Sequence, residues 1–424
     1  MRRSRFLALA MAVVAALPAP ALATDGYFAH GYGMKAKGMG GAATAVVFGT
    51  MAGAVNPAQM VLFGNGADLG ADLFGPRRGA ERTSNPFGLN GSVDSDSLWF
   101  AMPEAGFNRM IGARTSVGIT LYGNGGMSTN YATGQIAANR CGMGAPASNL
   151  LCGPSRLGIN LEQMIVAPTI AFRLGARQAI GVSPLLAYQR FRAEGLHAFT
   201  AMSAAPANVT NLGNDSSFGL GVRVGWMAEL SDRVSIGAAF SPKVKMSAFD
   251  KYKGLFAEQG GFDLPANFNT GIAVRPTSST LLAVDYQRIN YSGVKSVGNP
   301  SSARAPLGSD DGPGFGWKDV NVIKIGAELA VSRDLTLRGG YNHSDNPVQS
   351  ANVTFNILAP GVVQDHLTAG FTFNAGRGLD VNVAYMHAFD NSVSGAAMMM
   401  PGGGLETVRM HENSLGLSIT KRFK

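Results

Sequence analysis

The side chains best able to do chemistry are scattered along this 424-residue chain. Six histidines stand at positions 30, 197, 343, 366, 387 and 411. Asp365-His366 and Asn342-His343 set an imidazole beside a carboxylate or an amide, yet no nucleophile motif accompanies either pair. The only cysteines, Cys141 and Cys152, lie eleven positions apart in a loop-like stretch. That stretch has no histidine to complete a metal site, so neither a metal nor a cofactor is expected. In an oxidising compartment two nearby cysteines usually pair, and this pair would staple a loop. Arg190, Arg192, Arg223, Lys318 and Lys324 offer ion pairing to an anionic group. The net charge of +8 is spread along the chain, without a basic block or interleaved aromatics. Nucleic acid is therefore not an expected partner.

The elements that position these residues begin after an export signal. Arg2, Arg3 and Arg5 precede an apolar run from Phe6 to Leu17, and Ala21-Leu22-Ala23 supplies small residues for cleavage. Residues 1–23 read as a signal peptide. Fifty-six glycines and 15% charged residues suit neither a soluble enzyme nor a helical membrane protein. The longest uncharged run, 38–67, is broken by glycines, Asn56 and Pro57, which excludes a spanning helix. A membrane protein without such helices must close its backbone hydrogen bonds as a barrel.

From residue 66 onward, stretches of about ten residues alternate apolar with small or polar side chains. In 217–230, Phe218, Leu220, Val222, Val224, Trp226, Ala228 and Leu230 share one parity, suited to lipid. Ser217, Gly219, Gly221, Arg223, Gly225, Met227 and Glu229 share the other, suited to a lumen. The pattern predicts strands at 66–76, 96–106, 113–123, 160–174, 177–192, 215–230, 233–249, 266–276, 279–293, 318–331, 334–345, 363–375, 378–390 and 410–423. Connections near 175–176, 231–232, 277–278, 332–333 and 376–377 are short, whereas 124–159, 193–214, 294–317 and 391–409 are long polar loops. Short periplasmic turns alternating with long outer loops characterise outer-membrane barrels, and an even strand count puts both termini in the periplasm. The expected fold is all-β: a 14-stranded antiparallel transmembrane β-barrel over 66–424 with an N-terminal hatch, or plug, over 24–65 inside its lumen.

A bland reading of 24–65 is an irregular extension. Fourteen strands, however, enclose more space than their own side chains fill. Small residues such as Gly38, Gly40 and Gly41 would let this segment pack closely against the wall. Met51, Val55, Met60, Leu62 and Phe63 would coat the interior with apolar, ligand-binding surface. Lys324 and Arg223 fall on the lumen-facing parity and could hold a carboxylate. Methionines 398, 399 and 400, with Leu255 and Phe256, could line an outer entrance.

Gly38-Met39-Gly40-Gly41-Ala42 followed by Asn56-Pro57-Ala58 resembles the hatch of the long-chain fatty-acid outer-membrane transporter family (FadL/TodX type). Tyr122-Gly123-Asn124-Gly125-Gly126, Leu264-Pro265-Ala266, Asp285-Tyr286 with Tyr291, Gly316-Trp317-Lys318-Asp319 and Leu335-Thr336-Leu337-Arg338-Gly339-Gly340-Tyr341 are similar to that family too, in family order. The resemblance implies a plugged, monomeric barrel in the cell outer membrane. It would take up fatty acids, alkanes or aromatic hydrocarbons past the lipopolysaccharide leaflet and release them sideways through a wall gap. Asn56, Pro57 and Ala58 would act as a gate beside that gap, and Lys318 falls in a family-like motif. The passage would be passive, since each buried CH₂ contributes roughly 0.8 kcal/mol. A general diffusion porin and an outer-membrane barrel enzyme are the alternatives. A porin wants a polar, water-filled lumen, which the apolar hatch residues argue against.

Overall fold

The structure is a computed structural model that describes residues 25–423. The expected signal peptide, residues 1–23, lies outside the described residues. Fifteen strands form one sheet: β1 (Gly66–Thr83), β2 (Gly91–Asp94), β3 (Phe100–Met110), β4 (Thr115–Ser128), β5 (Gly158–Arg173), β6 (Gln178–Glu194), β7 (Asp215–Glu229), β8 (Val234–Ser241), β9 (Asn267–Val274), β10 (Thr280–Ile289), β11 (Val320–Ala330), β12 (Leu335–Ser344), β13 (Asp365–Asn374), β14 (Leu379–Ala396) and β15 (Leu405–Arg422). All pairings are antiparallel, and β15 closes on β1 from Gly66 opposite Arg422 to Thr83 opposite Leu405. Both β2 and β3 lie on the same side of β1. They are one wall strand interrupted at 95–99, so the wall has fourteen positions.

The period-two pattern explains how this sheet sits in a membrane. Outward Phe218 and Leu220 remain 64% and 75% exposed, with no protein to cover them. Only lipid can bury such a band. The opposite parity is buried, with Asp68, Asp72, Ser414, Ser418 and Thr420 turned into the lumen.

Several stretches depart from the sequence reading: β1 runs on to Thr83 instead of 76, and β2 at Gly91–Asp94 was not expected. Residues 391–409 are not a polar loop, because β14 and β15 continue to Ala396 and Leu405 and form a tall hairpin above the band. β8 stops at Ser241 instead of 249. Pro242 cannot donate to a ladder, and beyond it Val244 and Met246 turn inward to bridge Leu264 and Gly219.

The outer loops are also less polar than their composition suggested. Phe191, Phe199, Phe249, Tyr252, Phe256 and Trp317 from separate segments are buried in one apolar cluster that caps the barrel. Cys141 and Cys152 are bonded within this cap, with Cα atoms 5.5 Å apart.

Candidate functional site

The segment 25–65 fills the lumen. It carries three one-turn helices, α1 (Met34–Lys37), α2 (Ala52–Val55) and α3 (Met60–Phe63), and a 3₁₀ turn at Pro57–Gln59. Runs this short leave most backbone groups unpaired, so the wall must satisfy them. It does so with inward carboxylates. Asp285 accepts from the amides of Ala43 and Thr44 at 2.8 Å each, Asp68 from that of Thr50 at 2.6 Å, and Glu104 from that of Gly33 at 3.0 Å. The hatch answers with cations: Lys35 pairs with Asp380 at 2.9 Å, and Lys37 pairs with Asp72. Of these inward acids the sequence reading quoted only Asp285, within a family-like motif, and assigned none of them a hatch contact. Their signal was an acidic residue on a lumen parity that otherwise holds small or hydroxyl side chains.

Gly40 and Gly41 adopt positive φ angles of 65° and 85°, open to glycine at little cost. This turn presses onto wall residue Gly340, where an added Cβ would meet the Gly40 nitrogen at 2.2 Å. Gly38 packs on Gly370, also without room for a side chain. Asn56 donates from Nδ2 to the Thr44 and Trp226 carbonyls at 2.9 Å each, while its Oδ1 accepts from the Ala58 amide. Pro57 rests on Gly181 and Gly225. The motif Asn56-Pro57-Ala58 is thus seated on β6 and β7, away from the wall interruption at 95–99. The resemblance had implied a place beside the gap.

The proposed ligand residues separate into groups. Met51 and Val55 line an internal cavity of about 30 Å³ with Tyr32, Phe48 and Gln59. Met60, with Leu62 against it, packs into Ala171, Ala179 and Met227 of the wall, and Phe63 lies beneath the Arg422 guanidinium at the periplasmic rim. These three anchor the hatch instead of lining a path. Lys324 is committed as well: its Nζ donates to the His30 carbonyl at 2.8 Å and lies 3.5 Å from Asp25. Lys318 is exposed on an outer connection, outside the lumen. Arg223 is 4% exposed and donates to Asn267 at 3.0 Å, on the lumen parity that also carries Val244 and Met246 contacts at Gly219 and Gly221.

The interruption at 95–99 leaves two strand edges bare. β3 pairs with β4 only from Glu104 opposite Tyr122 downward, so Phe100–Pro103 and the top of β4 have no ladder between them. From inside, hatch residue Phe28 bridges Gly125, covering part of the β4 edge. Arg78 spans the remainder, its guanidinium donating to the carbonyls of Ser97 on one bank and Ser128 on the other. The side chain lies 5.4 Å from the Phe100 ring centroid. On its inner side is an apolar pocket lined by Phe74, Met127, Trp317 and Met410. Beyond the break, a cavity of about 370 Å³ opens beside Trp99, Phe100, Ser128 and Glu162. A second apolar pocket, of about 30 Å³, lies in the outer cap between Phe191, Phe199, Phe256 and Phe355. This is a closed state, with small inner pockets separated by side chains. The sequence reading missed Arg78 because its parity shows only that it faces inward, and the break opposite it is not encoded by periodicity.

A family model described as outer membrane protein transport protein (OMPP1/FadL/TodX) matches residues 11–423. The chain belongs to this family. FadL/TodX-type barrels in solved structures have the same fold. The toluene transporter TodX of Pseudomonas putida superposes with a TM-score of 0.68 at 17% identity, covering 93% of this chain and 99% of that one. A FadL homologue of Pseudomonas aeruginosa gives 0.68 at 14% identity, covering 94% and 100%. The toluene transporter TbuX of Ralstonia pickettii gives 0.64 at 18% identity, covering 93% and 99%. A curated relative from Neisseria meningitidis serogroup B, described as a candidate outer membrane protein, is 21% identical over 255 residues, 49% of this chain. The match spans about half of that relative's length, 52%. Membership in the FadL/TodX family places this barrel in the outer membrane as a transport protein.

Proposed function

We propose that this FadL/TodX-family barrel carries hydrocarbon-like molecules passively across the outer leaflet and releases them sideways at the 95–99 break, acting as a monomer and without enzymatic activity. The observation that carries this reading is Arg78. It lines an apolar inner pocket and bonds Ser97 and Ser128, which line a cavity of about 370 Å³ beside the break, a size suited to a small-molecule site. Solute would enter through the aromatic outer cap, pass Trp317 and reach the inner face of Arg78. The latch bonds two carbonyls on opposite banks, so separation of those banks cannot leave both bonds intact. The hatch, residues 25–65, keeps ions out while this happens. That TodX and TbuX are toluene transporters supports an aromatic substrate for this chain. Arg223 is the lumen cation best able to meet a fatty carboxylate, since Lys324 is taken by the hatch.

The test is toluene uptake into proteoliposomes. Arg78→Ala should speed uptake, and Ala101→Trp, which fills the outer cavity, should slow it, with ion leakage unchanged in both. Equal uptake by all three proteins would sink the lateral route. Free permeation of sugars through the native protein would instead mark a porin.

A further inference from the structure

The outer surface carries a polar groove that meets the transport route only at Arg78 and the 95–99 break. On β1 and β15 the lipid-facing run gives way after Leu73 and Leu415, and further outward positions include Arg77 and His411; on β14 Tyr385 is followed outward by His387 and by Phe389, which is 46% exposed. Between β15, the top of β1 and the segment after β2 lies a cavity of about 360 Å³, lined by Arg77, Arg409, His411, Asp94 and Asp390. Glycine at position 79 lets the Asp94–Arg409 pair lie close over the backbone: a Cβ there would meet the Arg409 guanidinium at 2.6 Å and Asp94 at 2.4 Å.

The charges in this groove are not evenly matched. Asp94 holds Arg409 at 2.7 Å, and Asp390 holds His411 at 2.9 Å. Arg77 has no carboxylate partner among the described residues. It lies 5.2 Å from the Trp99 ring centroid and makes one hydrogen bond, to the Leu98 carbonyl at 3.2 Å. Behind it Arg78, 5% exposed, also lines the groove, and its buried Nε is unpartnered. With Arg409 and His411 held by the two aspartates and Arg78 engaged on the Ser97 and Ser128 carbonyls, Arg77 is the cation of this concave site without a carboxylate among the described residues.

We infer that this groove binds a phosphate of lipid A, the anchor of lipopolysaccharide in the outer leaflet. A guanidinium presents a planar fork that matches phosphate oxygens. Arg77 supplies a free fork and Arg409 one that Asp94 holds in place. Exposed Leu98 and Trp99 lie just below, where an acyl chain of the same molecule would pass. Height, charge and apolar floor together select an anionic amphiphile, and lipopolysaccharide is the one that the outer leaflet supplies. The site adjoins the wall break through Ser95 and Leu98.

The experiment is native mass spectrometry of the delipidated full-length barrel in detergent, titrated with bisphosphorylated lipid A, with dephosphorylated lipid A and with inorganic phosphate. Arg77→Gln and Arg409→Gln should each lower occupancy by bisphosphorylated lipid A about tenfold, the loss of charge-assisted hydrogen bonds. Arg275→Gln, on an exposed turn at the other end, should leave it unchanged. Retention of the heat-dependent gel shift of a folded barrel certifies each variant. Arg77→Gln alone suffices if Arg409→Gln fails that check, since Arg77 has no ion pair to lose. Undiminished lipid A binding by folded Arg77→Gln would overturn the assignment. So would equal binding of dephosphorylated lipid A, or inorganic phosphate binding as tightly as the lipid.

Discussion

Replacing Lys324 with methionine tests what holds the hatch in the lumen. The change keeps the length of the side chain and removes its charge. Lys324 donates to the His30 carbonyl at 2.8 Å and lies 3.5 Å from Asp25, which is 0% exposed. Removing one member of a buried ion pair costs about 3–5 kcal/mol, because the other charge is left without compensation. At about 1.4 kcal/mol per factor of ten, the undocked hatch becomes at least about a hundredfold more populated. In a planar bilayer the native protein should be nearly silent, and Lys324→Met should show ion-conducting openings at least about a hundredfold more often. Adding Asp25→Asn removes the stranded charge and should restore much of the silence, since deleting both partners costs less than deleting one. Lys318→Met, on an exposed connection, should match the native protein. If Lys324→Met is as quiet as native while still folded, the hatch is not held by this contact and the argument fails.

Other substitutions probe the remaining contacts. Gly225→Ala would place a Cβ 2.1 Å from Asn56 Oδ1 and 2.7 Å from the Pro57 ring. Overpacking of that kind costs about 1–3 kcal/mol, so hatch release should begin at a lower temperature. Gly112→Ala, with open space around it, should not shift it. Trp317→Ala removes a 1% exposed ring from the outer cap, at about 3–5 kcal/mol; trypsin should then cut the outer loops while the barrel keeps its heat-dependent gel shift. Replacing Cys141 and Cys152 with serine opens a loop of sequence separation 11, worth about 3 kcal/mol on a chain-entropy argument. Loop proteolysis should rise, with hydrocarbon uptake affected less than by Trp317→Ala.

Periodicity carried most of the wall. In a barrel each strand is built alike, so Leu415, Leu417 and Ile419 against Gly416, Ser418 and Thr420 reveal their faces without knowledge of neighbours. Irregularities were less legible. The break at 95–99 arises from how β2 and β3 share β1, which no local pattern reports, and Pro242 redirects β8 through a donor it lacks. Of the cap the sequence showed only Leu255 and Phe256 with the methionines, because other apolar residues, such as Phe199 and Phe355, are spaced widely among polar ones and meet only in three dimensions. For the hatch, small residues foretold close packing. Which of its apolar side chains would anchor and which would face a cavity depended on the wall glycines opposite, so Met51 and Met60, alike in sequence, have different surroundings.

The long seam between the first and last strands has a bearing on biogenesis. The wall cannot become a ring until residues 405–422 zip onto 66–83. Once the ring is shut, the aromatic cap bars one mouth, and the tail bearing Lys35 and Lys37 would have to be threaded through the other. Docking the tail among its acidic partners while the sheet is still an open, curling ribbon would avoid that passage. The closing strand would then seal a vessel already stoppered.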